Sequence, residues 1–76
     1  MMQKYKCHKT VLAEPMTRGN YNVYRGWELP ANENGSEEGF LIEYLDGGES
    51  NHRAHTGYIS WSPKSVFDNG YTKVAD

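Results

Sequence analysis

The stretch Glu38-Gly39-Phe40-Leu41-Ile42-Glu43-Tyr44-Leu45-Asp46-Gly47-Gly48 decides the fold, and Gly57-Tyr58-Ile59-Ser60-Trp61-Ser62-Pro63 answers it. Phe40, Ile42 and Tyr44 alternate onto one face, the period-two pattern of a strand half buried in a sheet. Ile59 and Trp61 repeat the pattern, so the two runs read as neighbouring strands whose aromatic and aliphatic faces meet the helices. Glu43 falls on the mixed face with Leu41 and Leu45, at an interface or pocket position. The polar segment 46–56 between the strands exceeds a tight hairpin turn. Long loops in small domains are usually functional or disordered.

Upstream, Lys4 to Ala13 places Tyr5, Cys7, Val11 and Ala13 on one face and Lys4, Lys6, His8 and Thr10 on the other. This predicts an edge strand with one wet side, interrupted by Lys9 and ended by Pro15. Thr17 can cap a short helix running through Tyr24 and stopping near Gly26, with Met16 stapled to Tyr21. Gly19 weakens that helix by about 1 kcal/mol relative to alanine. Trp27 and Leu29 read as core plugs, and 31–37 as an exposed acidic loop. A second helix starts with Ser62 as cap, Pro63 as first residue and Trp61 stapled to Val66. Phe67 and Tyr71 then share a buried stripe, with Gly70 as the stop. The expected architecture is a small α+β domain of about three antiparallel strands and two short helices, in the order β-α-β-β-α. Both helices are expected on one side of the sheet, in a single domain 1–76 with frayed ends at 1–3 and 73–76.

Totals narrow the function classes. A chain of 76 residues forms one small core, which makes a homo-oligomer a reasonable expectation. The single cysteine rules out an intramolecular disulfide and fits a reducing, cytoplasmic setting. No apolar run approaches a membrane span and no signal-peptide pattern opens the sequence. Residues 1–25 carry a net charge of +4, residues 26–50 carry −7 with no base, and the remainder +1. Four surplus bases are thin for nucleic acid. The acidic stretch is either a surface for a basic partner or a solvated loop.

Chemistry-bearing patterns are few. His52 and His55, three apart, read as solvated loop histidines, and a zinc site shared with Cys7 is the alternative. Cys7 on an apolar face reads as a small buried hydrophobe rather than a nucleophile. Glu37 and Glu38, adjacent on a strand, splay apart and make no glycosidase pair. Gly47-Gly48 lacks the helix start and lysine of a phosphate cradle, and nothing points to a cofactor. The aromatic residues exceed what this core can bury, which favours a binding surface over an enzyme active site. The candidate binding residues are Tyr24, Arg25, Trp27, Glu43, Tyr44, Asp46, His52, Arg53, His55 and Tyr58.

Three strings carry a resemblance: Pro15-Met16-Thr17-Arg18 with Tyr21-Asn22 and Tyr24-Arg25-Gly26-Trp27-Glu28-Leu29-Pro30-Ala31-Asn32-Glu33; Glu38 to Gly48; and Gly57 to Lys64. Over residues 15–71 the sequence resembles a small uncharacterised protein family of tailed bacteriophages and prophages. It is also distantly similar to the Thoeris anti-defence proteins, which sequester a cyclic nucleotide signal. The resemblance implies a setting of phage–host conflict, and no site residues carry over with it. The expected function is therefore a non-enzymatic accessory protein that binds and blocks a host protein, with defence components among the expected targets. A sponge that binds a small nucleotide through aromatic and arginine side chains is the alternative, and a zinc-stabilised binding domain the third.

Overall fold

A computed structural model describes residues 1–75. The expected order holds: β1 (Val11–Pro15), α1 (Arg18–Arg25), β2 (Gly39–Tyr44), β3 (Ile59–Pro63) and α2 (Lys64–Gly70). The strands form one antiparallel sheet in the order β1-β2-β3, so β2 is central and the other two are edges. The predicted fraying at 73–76 extends to Asp76, outside the described residues.

Register sets the layers. Leu41 pairs with Trp61 and Glu43 with Ile59, while Phe40 pairs with Ser62 and Ile42 with Ser60. Directly paired residues share a face of a sheet. Ile59 and Trp61 therefore lie with Leu41 and Glu43, not with Phe40, Ile42 and Tyr44 as the alternation predicted. Tyr21 of α1 packs with Leu41 and Ile59, flanked by Met16, Tyr24 and Trp61. On the opposite face Phe40 stacks on Phe67 of α2 at 4.2 Å, and Phe67 on Tyr71 at 4.8 Å. The helices thus cover opposite faces, and the expectation of one shared side is corrected. Leu41 at 4 % and Ile42 at 2 % exposure show that β2 is buried on both sides.

Two other expectations shift at the strand ends. The first strand starts at Val11 rather than Lys4, because the six residues of β2 offer no partners further upstream. Residues 1–10 are exposed, Cys7 included, which removes its buried-hydrophobe reading. Pro15 closes the strand from within, tolerated because β1 is an edge. At α2, Gly39 pairs with Pro63 and Glu38 accepts from Lys64 N at 3.0 Å, holding Ser62 and Pro63 in the sheet. The helix begins at Lys64 without a side-chain cap, and Val66 is exposed instead of stapled to Trp61.

Helix α1 follows its sequence closely. Thr17 Oγ1 accepts from Asn20 N at 3.2 Å. Gly26 closes the helix at φ 73°, donating to Val23 O, while Trp27 N reaches back to Asn22 O. This Schellman closure needs the left-handed conformation that glycine adopts freely. It also turns Trp27 outward to 53 % exposure, so Trp27 is no core plug. Gly19, costly for a helix, has a packing reason: its N–H donates to Gly35 O at 2.8 Å, and a Cβ there would lie 2.8 Å from the same oxygen.

Gly19→Ala should therefore destabilise the protein despite alanine's better helix propensity, by about 1–3 kcal/mol as an overpacked contact. Ile59→Ala, at a site 1 % exposed, should cost about 2–5 kcal/mol. Urea unfolding measures both; a Gly19→Ala gain in stability would contradict the first.

Candidate functional site

Segment 46–57 is tied down by side chains on all sides. Asn51 lines up against the open edge of β3, its Nδ2 donating to Ile59 O at 2.9 Å and its Oδ1 accepting from Ile59 N at 2.8 Å. This pairing imitates a neighbouring strand and satisfies edge groups that would otherwise invite aggregation. Ser50 Oγ lies within hydrogen-bond distance of the carbonyl oxygens of His52 and His55, at 2.9 and 2.6 Å.

The two histidines join this segment to α1. His52 stacks on Tyr24 with ring centroids 4.4 Å apart and planes 5° apart. Its Nε2 donates to Tyr24 O at 3.1 Å and its Nδ1 accepts from Ala54 N at 3.0 Å, which assigns the Nε2–H tautomer. His55 bridges Tyr24 Oη at 2.6 Å on Nε2 and Glu43 Oε1 at 2.5 Å on Nδ1. Glu43 Oε2 accepts from Gly57 N at 3.1 Å. The chain Tyr24–His55–Glu43 has acid, base and hydroxyl in line, and with both imidazole nitrogens engaged it fastens the loop to helix and sheet. Glu43 and His55 also line a small cleft of about 210 Å³ beside Leu12 and Leu41.

A larger feature lies between α1, the segment 27–33 and the open edge of β3: a groove of about 560 Å³. Arg18, Tyr21, Asn22 and Arg25 line it from the helix, at the i, i+3, i+4, i+7 spacing of one helical stripe. Trp27, Glu28 and Glu33 close one wall, and Tyr58, Ser60 and Trp61 the other. Arg18 lies 4.6 Å from the Trp61 ring centroid and Arg25 lies 4.3 Å from that of Trp27, both within cation–π range. Trp61 is fixed by its indole N–H, which donates to Met16 O at 2.7 Å.

Of the candidate residues, Tyr24, Glu43, His52 and His55 come together in the loop fastening, and Arg25, Trp27 and Tyr58 in the groove. Tyr44 lies on the α2 face, its hydroxyl 3.1 Å from Ser60 Oγ and its ring centroid 6.2 Å from that of Tyr58. Asp46 pairs with Lys9, and Arg53 is exposed in the loop. Arg18, Tyr21, Glu28 and Trp61 went unselected in the sequence, although the helical stripe from Arg18 to Arg25 was a signal for two of them. Among the described residues no group of three or more His, Cys, Asp or Glu is placed to hold a metal, and Cys7 is not brought together with His52 and His55. No helix among them is long and apolar enough to cross a membrane.

The acidic stretch is largely consumed internally. Glu37 and Glu33 accept from Arg18 at 2.6 and 3.2 Å, Glu43 meets His55, and Asp46 meets Lys9. Glu28, Glu38 and Glu49 have no ion pair among the described residues. Compared with known proteins, the chain matches no family model, no curated protein and no solved structure.

The Glu43 carboxyl is held below its usual range, first by the hydrogen bond from His55 and then by Gly57 N–H, against opposing desolvation. A carboxyl lowered by folding lends stability that is fully present above its unfolded value and is lost as pH falls through the folded one. Stability should thus decline from about pH 5 downward. Glu43→Gln should lower stability at neutral pH and flatten that decline, leaving the share from Asp46, which Lys9 lowers in the same sense. Urea titrations across this pH range read both effects.

Proposed function

We propose that this protein is a non-enzymatic phage or prophage accessory protein that binds a host protein through the α1–β3 groove and blocks it, with a defence component as the target class. The observation that carries this reading is the groove's composition. Tryptophan, tyrosine and arginine dominate binding hot spots, because they bury large areas and add directional hydrogen bonds. Here Trp27 and Tyr58 stand 53 % and 48 % exposed beside Arg18 and Arg25. The groove is open along the edge of the sheet, a shape suited to a protein surface. The phage setting itself rests on the sequence resemblance alone.

The earlier expectation of an acidic binding face narrows in this reading. With Glu33, Glu37, Glu43 and Asp46 engaged internally, the groove replaces the acidic 33–49 region as the main contact surface. The 46–56 loop becomes its support, since it leads directly into Tyr58.

A small-ligand sponge is the second reading, favoured by a groove volume within the range of ligand sites. Glu28 and Glu33 on its walls count against a polyphosphate. Affinity capture from host lysate should retain a specific protein on the native chain and lose it on the double variant Trp27→Ala, Tyr58→Ala. Capture of nothing above background would refute the protein-binding reading. A thermal-shift screen with cyclic nucleotides tests the sponge, because a ligand of the folded state raises the melting temperature.

A further inference from the structure

We propose that Arg25 anchors the groove by taking one carboxylate from an acidic side chain of the partner protein, an inference that rests on the protein-binding reading above. Arg25 and Arg18 occupy the same stripe of α1, two turns apart, and each guanidinium lies over an indole. Arg18 completes its coordination within the chain: Nε and Nη2 both donate to Glu37 Oε1, at 3.0 and 2.6 Å, and Nη1 donates to Glu33 at 3.2 Å. Arg25 has the same stacking and no such supply. Nη1 donates to Tyr21 Oη at 2.7 Å, and among the described residues no carboxylate makes an ion pair with it.

The helix therefore carries one arginine–tryptophan pair that the chain has furnished with carboxylates and another that it has not. Guanidinium and carboxylate match as a planar fork, and stacking on Trp27 together with the Tyr21 bond holds that fork in one orientation. An arginine fixed beforehand loses less freedom on binding. The surrounding charge selects the kind of anion. Glu28 and Glu33 line the same groove, so repulsion grows with the charge of the anion and is greatest for a nucleic-acid backbone or a polyphosphate. A lone carboxylate on a peptide carries a single charge and meets the least of it, and its apolar neighbours find Trp27 and Tyr58 half exposed in the same groove.

The probe is a capped tripeptide of phenylalanine, glutamate and leucine, compared with its glutamine counterpart by NMR titration of the isotope-labelled protein. The glutamate peptide should shift the Trp27 indole and Arg25 Nε signals, and the glutamine peptide should bind at least about tenfold more weakly. Arg25→Gln should lose at least about tenfold for the glutamate peptide, and Arg25→Lys should recover only part of that because lysine lacks the fork. An unchanged amide spectrum outside the groove establishes that each variant is folded; Trp27→Ala serves as the second route if Arg25→Gln is not. Equal affinity for both peptides, undiminished binding by Arg25→Gln, or no binding of either peptide would overturn the inference. Should Arg25→Gln still capture the same host protein as the native chain, the carboxylate inference falls and the protein-binding reading stands. If the native chain captures nothing, both fall.

Discussion

The pairing of Leu41 with Trp61 is the constraint on which the remaining structure depends. It fixes the face of every residue in β2, because a strand alternates and a slip of one position exchanges its two sides. With that register Leu41 meets Tyr21 and α1, while Phe40 and Ile42 serve the α2 side. A slip would send Leu41 to the α2 face and break the Tyr21–Leu41–Ile59 cluster. Trp61, opposite Leu41, is further held by its bond to Met16 O, so the same residue sets sheet register and the seat of α1.

Two thin half-cores follow from a sheet buried on both faces in so short a chain. Among the described residues, Tyr21, Leu41, Ile42 and Ile59 are the buried large apolar side chains. Much of the cohesion between layers must then come from polar ties over long sequence separation. Arg18 draws the segment carrying Glu33 and Glu37 onto α1, Asn51 completes the edge of β3, and His55 joins α1 to β2 through Tyr24 and Glu43. Each leaves its buried groups satisfied, and no buried side-chain nitrogen or oxygen among the described residues lacks a partner. Such ties contribute modestly one by one, yet they fix geometry where apolar area is scarce.

The element order was legible because its signals are local: Thr17 before α1, Gly26 after it, and apolar runs bounded by turns. Register was not, and the reason lies in Phe40-Leu41-Ile42. Three consecutive apolar residues mark a strand buried on both faces, whereas alternation alone favours a half-buried one. Reading the alternation put Ile59 and Trp61 on the wrong side and both helices on a single face. The Tyr5–Cys7 alternation misled in another way, since a strand needs a neighbour and β2 ends opposite Val11. Trp27 looked like core by hydrophobicity; the closure at Gly26 sent it outward. The loop fastening gathered four of the chosen residues, yet their distances depend on how 46–57 folds back onto α1, which no spacing in the sequence expresses.

The loop and the groove are one construction seen from two sides. His52 and His55 press the loop against Tyr24, and the next residue of α1 is Arg25, whose guanidinium enters the groove. The loop's far end delivers Tyr58 to the same groove, beside Ile59 that Asn51 has already secured. Loosening the histidine contacts would therefore free the loop from α1 and leave Tyr21 on Ile59 to hold helix and β3 together at that end. Closing a long loop costs chain entropy that grows only slowly with length, and here the Asn51 and histidine contacts offset it. The loop supplies the missing neighbour of β3 through Asn51 and leads into Tyr58 at the groove.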